Sequence, residues 1–226
     1  MKIKTPFTKM RLRNHMTYNS WKYLVVIIAS VFGWNLLYTT TAYRSPENLR
    51  VDVYMQSSTA TNEGVDAFFK PIWDECIPEM ETVTNVLLTS STSSDYYGTM
   101  QLSVYIMAGE GDIYMLCTED FKNYASQGAF LDLTPFVESG ELNIDGIDTS
   151  AGYVATVDEN GIPTGETQFF GLPAYTLDGF RTGMNVHNRD LIIGVTAFNN
   201  NEENVIKFLN GLVQAGRVQE TETPAQ

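Results

Sequence analysis

The sequence is poor in the residues that most enzymes use for catalysis. Only two histidines occur among 226 residues. His15 lies in a basic segment and His187 in a polar one, and neither setting is typical of a catalytic triad. The chain also lacks Gly-x-Ser-x-Gly, a phosphate-binding Gly/Lys loop and His-Glu-x-x-His. These absences predict a protein that is not an enzyme, and nothing in the sequence indicates a cofactor.

Cysteine is also scarce, with only Cys76 and Cys117. Their spacing is not that of a metal-binding motif. An exported pair can form a disulfide, whereas the apolar run around Cys117 favours two buried thiols, and both alternatives stay open. Asp145 and Asp148 are close in sequence, as in a loose calcium site, but they lack the spacing of a known calcium loop. The sequence therefore predicts no metal site.

Acidic residues are absent from the first 43 positions, which hold six Lys and Arg. Residues 44–226 hold the other eight basic residues and all 27 acidic ones, so their net charge is 8 − 27 = −19. A body this acidic does not attract nucleic acid or anionic lipid by bulk electrostatics. We therefore expect no nucleic-acid partner.

An uncharged apolar run separates these two parts at residues 23–42. About 20 helical residues span one bilayer. The basic flank predicts a cytoplasmic N-terminus and an extracellular body. An uncleaved signal anchor fits this pattern, and a signal peptide cleaved near Thr40–Ala42 is the alternative. We expect a single-pass cell-membrane protein with a cytoplasmic tail (1–22), an anchor (23–42), an extracytoplasmic domain (43–218) and a disordered tail (219–226).

The first half of the body alternates strand-like and helix-like segments. Strands are predicted at Leu49–Met55, Val83–Leu88 and Ile113–Cys117. Between them, two short helical pieces start at Asn62 and are separated by Pro71, and another helix starts at Tyr96. Thr118 is predicted to cap the next helix and Gly128 to end it. This βαβ series predicts an α/β fold with a mainly parallel sheet flanked by helices.

The second half is less regular. A hairpin turned at Asp158–Gly161 is predicted, and so are two further strands. The hairpin strands and the further strands are Tyr153–Val157, Gln168–Leu172, Arg181–Val186 and Leu191–Thr196. Asn199 or Asn200 is predicted to cap a final helix. The apolar face of that helix comprises Val205, Phe208, Leu209, Leu212 and Val213.

Four motifs occur in an order typical of one known family. The strand Leu49–Met55 is followed by MAGEGDIYML, YASQGAFLDLTPF and FFGLPAYT. In this order the motifs resemble the extracellular solute-binding proteins of bacterial ABC importers, the sugar-binding type in particular. The resemblance implies a periplasmic-binding-protein-like lobe, a small solute such as a sugar as ligand, and an ABC permease or other membrane protein as partner.

The chain also departs from that family. Its members have two lobes that hold the ligand between them, and here the segment after GLPA is too short for a second large lobe. The chain resembles about one lobe. Two functions therefore stay open. One is a membrane-anchored, carbohydrate-related solute-binding protein associated with import. The other is a degenerate binding fold that acts as a protein-interaction or accessory module without a small ligand.

In such a lobe, ligands are held by the loops that follow the strands. These loops are Gln56–Thr59, Ser90–Asp95, Thr118–Asp120 and Ala174–Thr176. Sugar sites combine flat apolar faces with fixed polar groups. The candidate ligand-binding residues are Gln56, Ser57, Trp73, Tyr96, Tyr97, Glu119 and Tyr175. Asp112, which follows Glu110 in the turn before the third strand, is expected to accept backbone N–H groups and to have a structural role.

Overall fold

The computed structural model describes residues 8–88, 96–157 and 161–217. The chain divides into two compact units, Met1–Arg44 and Ser45–Gln226. In the first unit, helix α1 spans Lys9–Thr41. Its segment Leu12–Thr41 is long and apolar enough to cross a membrane, by length and composition. The helix starts well before the predicted span, within the segment predicted as a basic tail.

In the second unit, the described residues form short strands and helices that alternate along the chain. The strands are β1 (Arg50–Gln56), β2 (Thr82–Leu88), β3 (Ile113–Cys117), β4 (Tyr153–Val157), β5 (Pro163–Phe169), β6 (Gly171–Pro173) and β7 (Leu191–Val195). The helices are α2 (Asn62–Cys76), α3 (Tyr96–Met107), α4 (Thr118–Ser126), α5 (Thr134–Ser139), α6 (Asp178–Met184) and α7 (Glu202–Gly216).

Five of the strands form one sheet in the order β2-β1-β3-β7-β6. Strand β1 pairs in parallel with both β2 and β3. Strand β7 runs antiparallel to its neighbours β3 and β6, so β6 points the same way as β1, β2 and β3. The predicted mainly parallel sheet is confirmed, with β7 as the reversed strand.

Successive residues of the strands face two separate apolar clusters, because side chains alternate across a sheet. On one face, Val53 packs with α2 and α7, where the rings of Phe69 and Phe208 meet edge to face with centroids 5.5 Å apart. On the other face, Tyr54 packs in a cluster with Leu102 of α3 and with residues of α4. The predicted helices on both faces of the sheet are confirmed.

The final helix has the predicted apolar face, and all five of its predicted residues are fully buried. Its N-cap is Asn201, however, and not Asn199 or Asn200. The Asn199 side chain instead accepts the Asn201 N–H at 2.6 Å and shapes the turn before the helix. The cap of α4 is also displaced, because Cys117 is its N-cap and Thr118 its first helical residue. Gly128, with φ +77°, follows the end of α4 as predicted.

One helical prediction and one strand prediction were wrong. Pro71 does not divide α2, which is continuous because Val65, Phe69 and Ile72 on both sides of the proline are buried against one core. The segment Arg181–Val186 is not a strand, since most of it lies in α6. Burial of α6 against α2 decides this conformation.

The hairpin is partly as predicted. Strand β4 pairs with β5, whereas Gly171 and Leu172, the end of the predicted strand Gln168–Leu172, belong to β6, which joins the main sheet beside β7. A side chain at position 171 would lie 2.4 Å from the ring of Phe121. The glycine therefore allows β6 to approach the core closely. The predicted turn at Asp158–Gly161 lies largely outside the described residues, as does the predicted tail 219–226.

Candidate functional site

The predicted binding loops meet at one edge of the sheet. Strands β1, β3 and β6 all end there, and β7 begins there, because Cys117 pairs with Leu191 and Pro173 with Ile192. We call this the carboxyl edge and define it by Gln56–Thr59, Thr118–Asp120 and Ala174–Thr176. The fourth predicted loop, Ser90–Asp95, lies outside the described residues.

Gln56 fixes the centre of the carboxyl edge. Its side chain is buried, donates from Nε2 to Oδ2 of Asp120 at 2.7 Å, and accepts the Cys117 N–H at Oε1, also at 2.7 Å. One amide therefore ties the end of β1 to the end of β3 and the first turn of α4. Gln56 therefore positions the groups of this edge, and its own side chain is buried.

Ser57 shapes the loop after β1. Its hydroxyl accepts the N–H groups of Thr59 and Ala60 at 3.3 and 3.1 Å, which closes a tight turn. Thr59 and Asn185 then exchange two hydrogen bonds, at 2.5 and 3.0 Å, between this loop and the end of α6. The loop is thus held by hydrogen bonds within itself and by hydrogen bonds to the end of α6.

Glu119 and Tyr175 are the predicted residues of this edge that are exposed, whereas Ser57 is half-buried. Glu119 is exposed in the first turn of α4, where the helix dipole favours a carboxylate. Tyr175 is 38% exposed, and its hydroxyl donates to the Asp148 carbonyl at 3.4 Å. A hydrogen bond from Tyr175 also lowers the pKa of the Asp148 carboxyl. These contacts orient the ring of Tyr175 while leaving part of it accessible.

Trp73 does not belong to this group. It lies near the end of α2, which returns to the opposite edge of the sheet before β2 begins. There its Nε1 donates to the Met80 carbonyl at 3.1 Å, and its ring packs against the core. Tyr97, in the first turn of α3, is 80% exposed. The side chain of Tyr96 lies outside the described residues.

The two cysteines are free thiols in this structure. Cys117 ends β3 at the carboxyl edge, whereas Cys76 ends α2 near the opposite edge, and no disulfide joins them in this structure. Burial raises the pKa of the Cys117 thiol to about 11, and burial also raises the pKa of Cys76. Both thiols stay protonated at neutral pH, which makes them poor nucleophiles.

The opposite edge, which we call the amino edge and define by Arg50–Asp52 and Gly109–Asp112, is closely hydrogen-bonded. Asp112 Oδ2 accepts the Asp52 N–H at 2.7 Å. The Asp52 carboxylate accepts in turn from Arg50 Nε at 2.8 Å and from the Thr84 hydroxyl at 2.6 Å. The predicted structural role of Asp112 is confirmed, and its bond joins β1 to β3.

The amino edge also contains a polar cavity of about 430 Å³ that the sequence did not predict. Its walls come from distant segments, including Glu47, Tyr54, Glu110 and Phe198, which no local pattern connects. Burial raises the pKa of Asp112 to about 6 and that of Tyr54 to about 12. This acidic cavity adjoins the β1–β3 contact.

Comparison with known proteins finds similarity at the level of folds. No family model and no curated protein matches this chain. The similar solved structures include an extracellular solute-binding protein family 1 from Alicyclobacillus acidocaldarius, with 17% identity over 57% of this chain and 29% of that chain (TM-score 0.40). Another is an ABC substrate-binding protein from Listeria monocytogenes in complex with cycloalternan, with 22% identity over 59% and 32% (TM-score 0.37).

A further match is PBP AttC from Agrobacterium tumefaciens C58, open and unliganded, with 13% identity over 74% of this chain and 80% of that chain (TM-score 0.39). The chain spans less than a third of each of the first two proteins. Those two are solute- and substrate-binding proteins, not enzymes.

Proposed function

We propose that this chain is a membrane-anchored extracytoplasmic protein that binds a small solute at the carboxyl edge of its sheet. The observation that carries the proposal is the arrangement around Gln56. A buried amide fixes the ends of two strands and a helix start, and Glu119 and Tyr175 stand at the surface of the same edge. Fixed polar groups beside an accessible aromatic ring suit a small polar ligand.

A carbohydrate is the class of ligand that these side chains favour. A sugar presents hydroxyl groups to carboxylates and a C–H face to an aromatic ring, and Glu119 and Tyr175 supply one of each. The motif order in the sequence extends the proposal to a role beside an ABC-type permease. Both steps are proposals that binding and co-purification experiments can test.

Membrane attachment is proposed from α1. This helix has the length and composition of a membrane span. Lys9, Arg13 and Lys22 lie in its N-terminal part, and acidic residues are absent from the first 43 positions. The positive flank favours a cytoplasmic N-terminus and an extracellular body. We propose that α1 is retained as an anchor and is not cleaved. Detecting α1 in the mature protein isolated from membranes would test this.

A second candidate function is an interaction module without a small ligand. The observation that favours it is the solvent side of α3, where Met100, Val104 and Met107 are exposed. Exposed apolar surface of this kind is common at protein contacts. This function predicts no stabilisation by solutes.

The two candidates differ in a thermal-unfolding experiment on the full chain. The protein is kept in a detergent without a sugar headgroup and followed by intrinsic fluorescence against mono- and oligosaccharides, amino acids and divalent cations. A ligand at about a hundred times its Kd stabilises the fold by about 2.7 kcal/mol, which raises Tm by several degrees. We expect such a shift with one class of saccharide.

The matched variants are Tyr175→Ala at the carboxyl edge and Phe198→Ala at the amino edge. Both remove an exposed aromatic ring. Solute binding at the carboxyl edge predicts that the first abolishes the saccharide shift and the second preserves it. If no solute shifts Tm, or if only Phe198→Ala removes the shift, the proposed function is wrong.

A further inference from the structure

Helix α3 carries large apolar side chains on its solvent side as well as on its core side. Leu102 and Ile106 are buried, whereas Met100, Val104 and Met107 are 54, 55 and 85% exposed. The exposed three follow one another at spacings of four and three residues, which places them on one face of the helix. We call these three residues the α3 stripe.

The stripe borders a groove of about 540 Å³ between α3 and α4. Met107 belongs to both the stripe and the groove wall, and Phe198, which is 63% exposed, extends the wall. Across the groove, the Tyr124 hydroxyl and Ser103 Oγ are hydrogen-bonded at 2.6 Å, which fixes the two helices to each other. The groove is therefore preformed, and an apolar side chain can enter it without reorganising the helices.

The charge pattern of this surface distinguishes it from the rest of the body. Residues 44–226 carry a net charge of −19, yet α3 contains no acidic or basic residue. The residues that line the groove are uncharged as well. Two acidic bodies repel each other over most of their surfaces. They can come into contact without close like-charge pairs at this neutral face.

We propose that the α3 stripe and its groove form a two-fold symmetric interface between two copies of this chain. The stripes pack against each other, and Met107 of each copy faces the groove of the other. Such an isologous contact uses one patch twice, so an uncharged apolar patch meets a second uncharged apolar patch without like-charge pairs. The interface forms whether or not a solute is bound.

The size of the surface fits a dimer of moderate affinity. An aromatic side chain buries about 150–250 Å². Phe198 and the stripe residues, each already partly buried, supply part of the about 800 Å² that each partner contributes to a standard interface. Apolar residues at helical spacing are also the usual anchors of a helix that packs against another helix.

The same features disfavour two other occupants. A basic partner would be steered towards the acidic surface and away from this neutral face. Helices that lie on a membrane surface carry Lys and Arg on their polar side, and α3 has neither. A second copy satisfies both the apolar character and the absence of charge.

The test is sedimentation velocity of the full chain in detergent micelles, at protein concentrations from about 1 to 100 µM. These concentrations match the dissociation constants at the weaker end of the range covered by interfaces of standard size. The wild type is expected to dimerise within this range. Val104→Glu places two new carboxylates in the symmetric contact and should raise the dimer Kd about a hundredfold. Gln101→Glu adds the same charge to the same helix at an exposed position outside the stripe, and it should change Kd little.

Three outcomes would overturn the proposal. The first is a wild type that stays monomeric throughout the range. The second is a dimer that Val104→Glu leaves intact, as expected if α1 alone holds the copies together. The third is an equal effect of both variants, which would indicate net charge as the cause. Circular dichroism establishes that each variant is folded.

Discussion

The two edges of the same sheet are stabilised in different ways. At the amino edge, Asp112, Asp52 and Arg50 bond mainly to one another and to the backbone. At the carboxyl edge, the single amide of Gln56 holds the strands and a helix start together, while Glu119 and part of Tyr175 face solvent. Both edges join β1 to β3, and the carboxyl edge in addition presents Glu119 and part of Tyr175 to solvent. Binding groups are more effective when a separate residue has already fixed their backbone.

The largest effect is expected at the amino edge, from Gly111→Ala. Gly111 has φ +80°, and a Cβ there would lie 2.4 Å from the Tyr54 ring. Left-handed backbone and overpacking together should lower the free energy of unfolding by about 4 kcal/mol. Gly128→Ala is the control, since Gly128 has φ +77° with open space around it, and it should cost only about 1 kcal/mol. Urea denaturation measures both, and equal costs would refute the close packing described for this edge.

The next effect should come from Gln56→Leu at the carboxyl edge. Leucine fills a similar volume, but it leaves the Cys117 N–H without its acceptor and removes the donor to Asp120. We expect a loss of about 3 kcal/mol in the same denaturation experiment. Ser57→Ala removes only the two longer turn bonds and should cost less than about 1 kcal/mol. A Gln56→Leu protein as stable as Ser57→Ala would mean that the amide does not hold this edge.

A smaller effect should appear in the pH dependence of the amino edge. The pKa of Asp112 in the folded protein, about 6, lies above its ordinary value of 3.8 because of burial. The protonated carboxyl is therefore favoured by folding, and its stabilising contribution is present below pH 3.8 and is lost as pH rises to about 6.

Asp112→Asn removes this titration while retaining an oxygen that can accept the Asp52 N–H. Relative to wild type, the variant should gain about 2 kcal/mol of stability between pH 4 and 6, and the difference should become constant above about pH 7. Because the other acids titrate in both proteins, their contributions cancel in the difference between the two free energies of unfolding. A difference that is flat across this range would show that Asp112 titrates normally.

The sequence predicted the first three strands within one residue at either end, because short apolar runs bounded by polar loops leave few alternatives. It did not predict α6, since seven residues carry too little periodicity and contacts with α2 decide their conformation. The continuity of α2 through Pro71 likewise depends on burial against strands and helices that are distant in sequence.

Only part of the site was predicted, for similar reasons. The loops of the carboxyl edge follow directly from the βαβ order. Trp73 could have been excluded by the same order, because the end of a crossover helix lies at the edge where the next strand begins. The polar cavity of the amino edge is lined by Glu47, Tyr54 and Phe198, which are too far apart in sequence for any motif.

Solute binding at the carboxyl edge can be tested most directly by amide hydrogen exchange of the full chain. Exchange is measured with and without the saccharide that gives the largest rise in Tm. Binding at this edge predicts slower exchange in Gln56–Thr59, Thr118–Asp120 and Ala174–Thr176, with little change in Gly109–Asp112. Protection confined to Gly109–Asp112 and the residues around Phe198, or no protection by any saccharide, would contradict it.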